Sequence, residues 1–428
     1  MAQSTLVEKI IARAAGIAAV RPGDIVVAQV DFAFAHDSSG PRRWQPILDE
    51  LGTGLWDPSR VAIVSDHFSP AADAESASIL KLTRDFARRH GVEAFFDMVG
   101  ICHLVLPQQG LIRPGAFIAG GDSHTPMAGA FGAYAAGYGA TDMAAIVATG
   151  ETWLSVPETI RVEWDGELPY GVTAKDMMLL LCRELGLDNA FKAVEFAGDS
   201  VTAMGMAERM VLCNMAAELG AETGVIAPDE VTFDYLAAVG RPIEDRLSAL
   251  SLRSDANADY VARHHFQANT LAPQIAAPHS PENVSDAGNF ADVAIDQAYI
   301  GACVGAKIED LRMAAEILRG RHVADGVRLL VAPASSRTLA QAAEDGTLAV
   351  LAQSGAILLS SGCGACAGYG AGVLASGEVC ISSTNRNFRG RMGDSLSQVY
   401  LGSPYSVAAA AVAGHIIDPR DLLQRRAA

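Results

Sequence analysis

Twice in its first 130 residues this chain runs an apolar stretch straight into an aspartate and a histidine. RVAIVSDHFSP ends in Asp66 and His67, and PGAFIAGGDSHTP ends in Asp122 and His124. Strands that gather polar residues at their carboxyl ends and alternate with helices predict an α/β fold with a largely parallel sheet. Ligands of such sheets sit beyond the strands' carboxyl ends. The grammar recurs along the chain. IVVAQVDFAFAHD predicts one strand running into a polar loop, and ILKLTRDFARRH a helix closing on Gly91. AVEFAGDSV reads as a strand, MAERMVLCNMAAELG as a helix leading to a strand, and DQAYIGACVGAKIEDLRMAAEIL as strand, loop and helix. VRLLVAPAS and GAILLSSGCGACAG are two further strand-to-loop transitions. Residues 251–295 are polar and proline-bearing without long periodicity, which predicts a connection between domains.

A length of 428 residues allows two or three domains. The net charge of −17 argues against a nucleic-acid partner, because binding phosphates needs a concentrated basic face. The N-terminal MAQSTLVEKIIARAAG spaces its apolar residues as an amphipathic helix and lacks the apolar core of a signal peptide. The most continuous apolar stretch, 128–150, is mostly alanine and glycine and contains Asp142, so it predicts a packed interior helix and no membrane span. A cytoplasmic protein is expected. Seven cysteines in such a chain are too few for a disulfide framework, which leaves metal ligation or plain burial. Cys102, Cys182, Cys213 and Cys380, each among apolar neighbours, read as buried small hydrophobes.

The remaining three differ. Cys303 follows the strand-like AYI, and Cys363 and Cys366 follow AILLS, all in glycine-flanked loops that can converge on one point. Three thiolates suit zinc or an iron–sulfur cluster, and the residues alone leave both open. No second C-x-x-C or nearby His-x-x-His completes a closed zinc shell. The glycines of SSGCGACAGYG also make an open loop rather than the helix start of a redox pair. The doublets Asp66–His67 and Asp122…His124 pair a carboxylate with an imidazole, which raises the imidazole's pKa and suits a general acid. His36 and His103 stand nearby in strand-end sequence. STNRNFRGRMG sets Arg386, Arg389 and Arg391 in a glycine-bearing loop suited to gripping carboxylates.

Taken together, EKIIARAAG, SDHFSP, GICHLVLPQQG, GDSHTPMAGAFGAYAAGYGATDMA, ETWLSVPETI, LCNMAAELGAETG, IGACVGAKIEDLR, SSGCGACAGYG and SSTNRNFRGRMG run in order from residue 8 to residue 393. This series resembles the aconitase superfamily, in the branch of free-standing large subunits that includes 3-isopropylmalate dehydratase. The resemblance implies a three-domain α/β/α large subunit, with domains expected over 1–158, 159–285 and 286–428. It implies one 4Fe–4S cluster on Cys303, Cys363 and Cys366, and a hydro-lyase reaction on a small hydroxy-dicarboxylate of the isopropylmalate, citraconate, maleate or dimethylmaleate type. By matching residues, Asp66 and His67 would protonate the departing hydroxyl. His103 with Asp122, and His124 with Glu218, would surround the released water. Asn214, Arg386 and Arg391 would contact substrate and cluster. The family's catalytic base resides on a swivelling fourth domain that this sequence is expected to lack, which implies a separate small subunit.

The chain departs from the family's pattern at several places. Ala302-Cys303-Val304-Gly305 stands where Ser-Cys-Thr-Asn is usual, Ala365 replaces a proline, and Met127 replaces a polar residue. Where the first loop usually carries glutamine, it reads Ala35 and His36. These losses motivate an alternative, a related lyase with a mononuclear metal or an altered cluster. A more distant alternative is a non-catalytic iron sensor that binds RNA, against which the acidic charge weighs.

Overall fold

Every residue of the strands Phe32–His36 and Val61–Ser65 is buried, the pattern of strands covered on both faces. They lie in the middle of a parallel five-stranded sheet, ordered Ala94–Asp97, Val61–Ser65, Phe32–His36, Phe117–Gly120, Tyr134–Gly137. The strand order reverses between Phe32–His36 and Phe117–Gly120. Such a reversal opens a crevice at the carboxyl ends, and here it falls between Asp37 and Asp122. The structure, a computed structural model, describes residues 3–423.

A second parallel sheet runs Thr223–Val225, Lys192–Ala197, Glu158–Asp165, Ala262–Gln267. The third sheet has seven strands: Val284–Asp286, Gln274–Ala276, Gln398–Leu401, Val379–Ser382, Gln297–Ile300, Arg328–Val331 and Ile357–Leu358. Its last five strands are parallel, and their order reverses between Val379–Ser382 and Gln297–Ile300. Those two strands lead into the arginine loop and into Cys303. One hydrophobic core extends from Phe32 through Trp164 to Leu401, so all three sheets rest on continuous packing. Among the described residues no helix is long and apolar enough to cross a membrane.

Three expectations are corrected. IVVAQVDFAFAHD is two strands, because Ile25–Gln29 leaves to pair antiparallel with Glu151–Ser155. The break falls at Asp31, whose carboxylate pairs with Arg13 and accepts the Phe117 N–H at 2.7 Å. Residues 128–150 are not one helix: they finish the 3-10 segment Thr125–Phe131, turn at Gly132, form the strand Tyr134–Gly137 and only then the helix Ala140–Thr149. Alanine and glycine carry no periodicity that separates these states. Finally, 251–295 is no plain connection. It contributes Ala262–Gln267 to the edge of the second sheet, and Gln274–Ala276 and Val284–Asp286 to the third.

The helix Met206–Asn214 delivers Asn214, and a buried arginine holds it in place. Arg209 is fully buried and grips Asp229 with two hydrogen bonds of 2.7 Å each. Its other N–H groups reach the carbonyls of Met204 and Thr202 at 3.1 and 2.9 Å. Arg209→Met is expected to cost about 3–5 kcal/mol, because it strands a carboxylate and two carbonyls. A urea midpoint checks this, with Asp229→Asn costing less because that side chain is a third exposed.

Candidate active site

The end of the strand Val61–Ser65 places Asp66 in the interior, where its two oxygens serve different partners. One pairs with Nδ1 of His67 at 2.7 Å, and the other accepts the Cys102 N–H at 2.7 Å, at the start of the helix Cys102–Gln108. Asp37, one strand over, accepts the backbone N–H groups of His67 and Phe68 at 3.0 Å each. His36 stacks on His67 with ring centres 3.8 Å apart. Burial works against the His67 imidazolium, but Asp66, with Asp37 and Asp122 behind it, outweighs burial and lifts its pKa to about 8. His67 is therefore held as an acid at neutral pH.

Asp122, beyond the strand Phe117–Gly120, pairs with Nε2 of His103 at 2.8 Å and accepts the His124 N–H at 2.7 Å. Burial pushes its pKa up, yet the surrounding imidazoles hold it well below the carboxylate range. Nε2 of His124 pairs with Glu218 at 2.9 Å. The same Glu218 oxygen accepts Nε of Arg386 at 2.8 Å, and Arg386 also donates to Ser123 Oγ at 3.0 Å. The pairs His103–Asp122 and His124–Glu218 thus lie at hydrogen-bond distance, and a ring–carboxylate–guanidinium chain links all three sheets.

Cys303, Cys363 and Cys366 border one cavity of about 190 Å³ together with His67, Asp122 and Arg391. Asn214 donates to the Cys303 sulfur at 3.2 Å and accepts from Asn385 at 2.7 Å. The Cys363 N–H bonds to the Asp66 carbonyl at 2.8 Å. Gly362, at φ +155°, permits this approach, since a Cβ there would lie 2.7 Å from that same carbonyl oxygen. Burial pushes all three thiols above their ordinary range. Nε of Arg391, Nδ1 of His103 and Oε2 of Glu218 are buried without hydrogen-bond partners. Two buried thiols and a half-buried one beside unpartnered polar atoms fit a thiolate-bound metal group, which would displace the thiol protons. A more apolar cavity of about 580 Å³ adjoins at His67 and Tyr369. Of these two, only the smaller is bordered by the cysteines.

The twelve residues to which the resemblance assigns roles gather at this point: Asp66, Asn214 and Glu218 stand one hydrogen bond behind residues that border the cavity. Arg389 is exposed and takes no part. Asp37, Asn385 and the buried Lys175 were not assigned roles from the sequence. Asp37 had a usable signal, since it closes FAFAHD just as Asp66 closes VAIVSD.

The sequence model of the aconitase family (aconitate hydratase) matches residues 58–414. The chain belongs to the aconitase family. Among its relatives is 3-isopropylmalate dehydratase large subunit 1 of Methanopyrus kandleri, 47% identical over 98% of this chain and 99% of that one. A probable methanogen homoaconitase large subunit of Methanothermobacter thermautotrophicus is 44% identical over 98% of each chain. A 3-isopropylmalate dehydratase large subunit 1 of Pyrococcus furiosus is 42% identical over 99% of this chain and 100% of that one.

In this member of the aconitase family Asp37 holds the backbone that carries His67. Asp37→Asn replaces an accepting oxygen with a donor that faces an N–H, at a cost of about 1–3 kcal/mol. A lowered melting temperature, together with reduced turnover, is the expected result.

Proposed function

We propose that this chain is the large subunit of a hydro-lyase that dehydrates or hydrates a small hydroxy-dicarboxylate. One observation carries the reading: three thiols, the arginine loop and the histidines of the Asp–His pairs border a single small cavity. Cys303, Cys363 and Cys366 would hold a 4Fe–4S cluster, which supplies an open iron as Lewis acid to the substrate's oxygens. Two thiolates on one tetrahedral zinc lie roughly 3.8 Å apart, given Zn–S bonds of about 2.3 Å. Among the described residues, the sets of ligand atoms within 4.8 Å of one another are His36–Asp37–Asp66–His67 and His103–Asp122–His124, and the cysteine trio is not one of them.

The protein's own groups divide the work. Arg386 and Arg391 grip substrate carboxylate, as planar guanidinium forks do best. His67, protonated and braced by Asp66, gives its proton to the departing hydroxyl oxygen. The His103–Asp122 and His124–Glu218 pairs hydrogen-bond the water so formed. Asn214 donates to the Cys303 sulfur and is itself held by the Asn385 amide. The base that removes the carbon-bound proton comes from a separate small subunit with a swivelling domain, a reading supported by relatives that are named as large subunits. Those names differ from one relative to the next, which supports a substrate class rather than one substrate.

Hydration of a diacid panel, assayed with and without the small subunit, tests the reading: activity is expected only from the pair, and full activity from the large chain alone refutes the division of labour. Iron and acid-labile sulfide after anaerobic preparation are expected at about four each per chain; one zinc or one iron would favour the mononuclear alternative.

The pH dependence follows from His67. Its folded pKa is raised, so the proton it donates is fully present below its ordinary value of 6.5 and is lost as pH rises through about 8. The dehydration rate should therefore fall above about pH 8, and Asp66→Asn should move that limb to lower pH.

A further inference from the structure

Lys175 is a buried cation that the reaction above does not use. Only 1% of it is exposed, whereas lysines ordinarily keep the ammonium in water. It stands in the first turn of the helix Ala174–Leu185, at the positive end of the helix dipole, where a cation is disfavoured. The helix does not need it there. Thr173 and Asp176 cap that end reciprocally, and Asp176 also accepts the Gln274 N–H at 2.8 Å. Two penalties are thus borne by a residue the helix could replace.

Its surroundings suggest what offsets them. Nζ donates to the Thr384 carbonyl at 2.6 Å, at the root of the loop that carries Asn385, Arg386 and Arg391. The negative or ionisable groups that act on it are Glu218, Cys182, Cys366 and Cys303. Burial lowers its pKa to about 8 against the opposing pull of those groups. Lys175 does not border the cavity, whereas Arg386 and Arg391 do, so it reaches the cysteines through the protein and cannot touch substrate. A fixed positive charge near thiolate-held iron favours the reduced, more negative cluster.

We infer that Lys175 is a positioning residue whose buried charge, beyond its hydrogen bond to Thr384, sets the reduction potential of the group on Cys303, Cys363 and Cys366. This rests on the cluster reading given above. The test uses the anaerobically prepared protein and compares wild type with Lys175→Arg, which keeps the charge, and Lys175→Gln, which keeps a donor for the carbonyl and loses the charge. Iron and sulfide content is measured first, and its absence from wild type would defeat the cluster reading rather than this one. With the cluster present, a redox titration followed by electron paramagnetic resonance should give Lys175→Gln a lower midpoint potential than wild type, and Lys175→Arg a value close to it. Loss of the cluster from the Gln variant with retention by the Arg variant also supports the proposal, as rescue by charge. Equal potentials in all three proteins, or loss from both variants alike, overturn it.

Discussion

One carboxylate oxygen of Asp122 serves the ring of His103 at 2.8 Å and the backbone N–H of His124 at 2.7 Å, while the other lies 3.3 Å from His36. Asp122 stands where the five-stranded sheet reverses its order, so this anion sits in the crevice that the topology opens. Its charge survives burial because imidazoles surround it, and they in turn are oriented by it. From His36 the order passes by ring stacking to His67, and from His124 by hydrogen bond to Glu218 and Arg386. The proposed proton donor His67 and the proposed carboxylate-gripping Arg386 are therefore oriented by the same buried ion.

That chain explains why three sheets must act as one site. His124 follows a strand of the first sheet, Glu218 follows a helix packed on the second, and Arg386 follows a strand of the third. Separating any of them would leave a buried charge without its counter-charge, at a cost of about 3–5 kcal/mol. Backbone bonds reinforce the joint, with Cys363 N–H on the Asp66 carbonyl and Ile101 N–H on the Ala334 carbonyl at 2.9 Å. Each such bond is worth only about 1 kcal/mol net, but leaving its groups unpaired in the interior would cost more. The electrostatic chain thus decides the assembly and the backbone bonds fix its register.

What could be read from the sequence follows from how local each signal is. Strand-end doublets such as Asp66–His67 are written in consecutive residues, so both the sheet and the acid–base pairs were legible. The cysteine trio was legible because glycines flank every member. Short strands such as Gln274–Ala276 were not, because three residues carry no period and one of that strand's two partners, at Leu401, lies more than 100 residues away. Lys175 was hidden for a related reason. A lysine early in an amphipathic helix reads as a solvated residue, and only the fold brings the Thr384 carbonyl, 209 residues on, against its amine.

The unusual Ala302-Cys303-Val304-Gly305 loop is held by different means from those its lost polar side chains would offer. Ser383 accepts the Gly301 N–H at 3.0 Å and lies within hydrogen-bonding reach of the Gly301 and Gly305 carbonyls at 3.2 and 3.3 Å. A Cβ at Gly305 would fall 2.2 Å from that hydroxyl oxygen, so an asparagine there would have to push Ser383 aside. Ala302 meanwhile adopts φ +67°, a left-handed conformation that costs a residue with a side chain about 1–3 kcal/mol. Strain of that kind persists where surrounding bonds over-determine the backbone, and the Ser383 hydroxyl with its ties to Gly301 and Gly305 does so here. A donor to the Cys303 sulfur comes instead from Asn214, which the Asn385 amide holds, both on other segments. The wall beside Cys303 therefore offers the cavity methyl groups and backbone where the resemblance leads one to expect hydroxyl and amide, while the sulfur keeps the Asn214 hydrogen bond. A change on that side would then alter the cavity wall without removing the donor to the Cys303 sulfur.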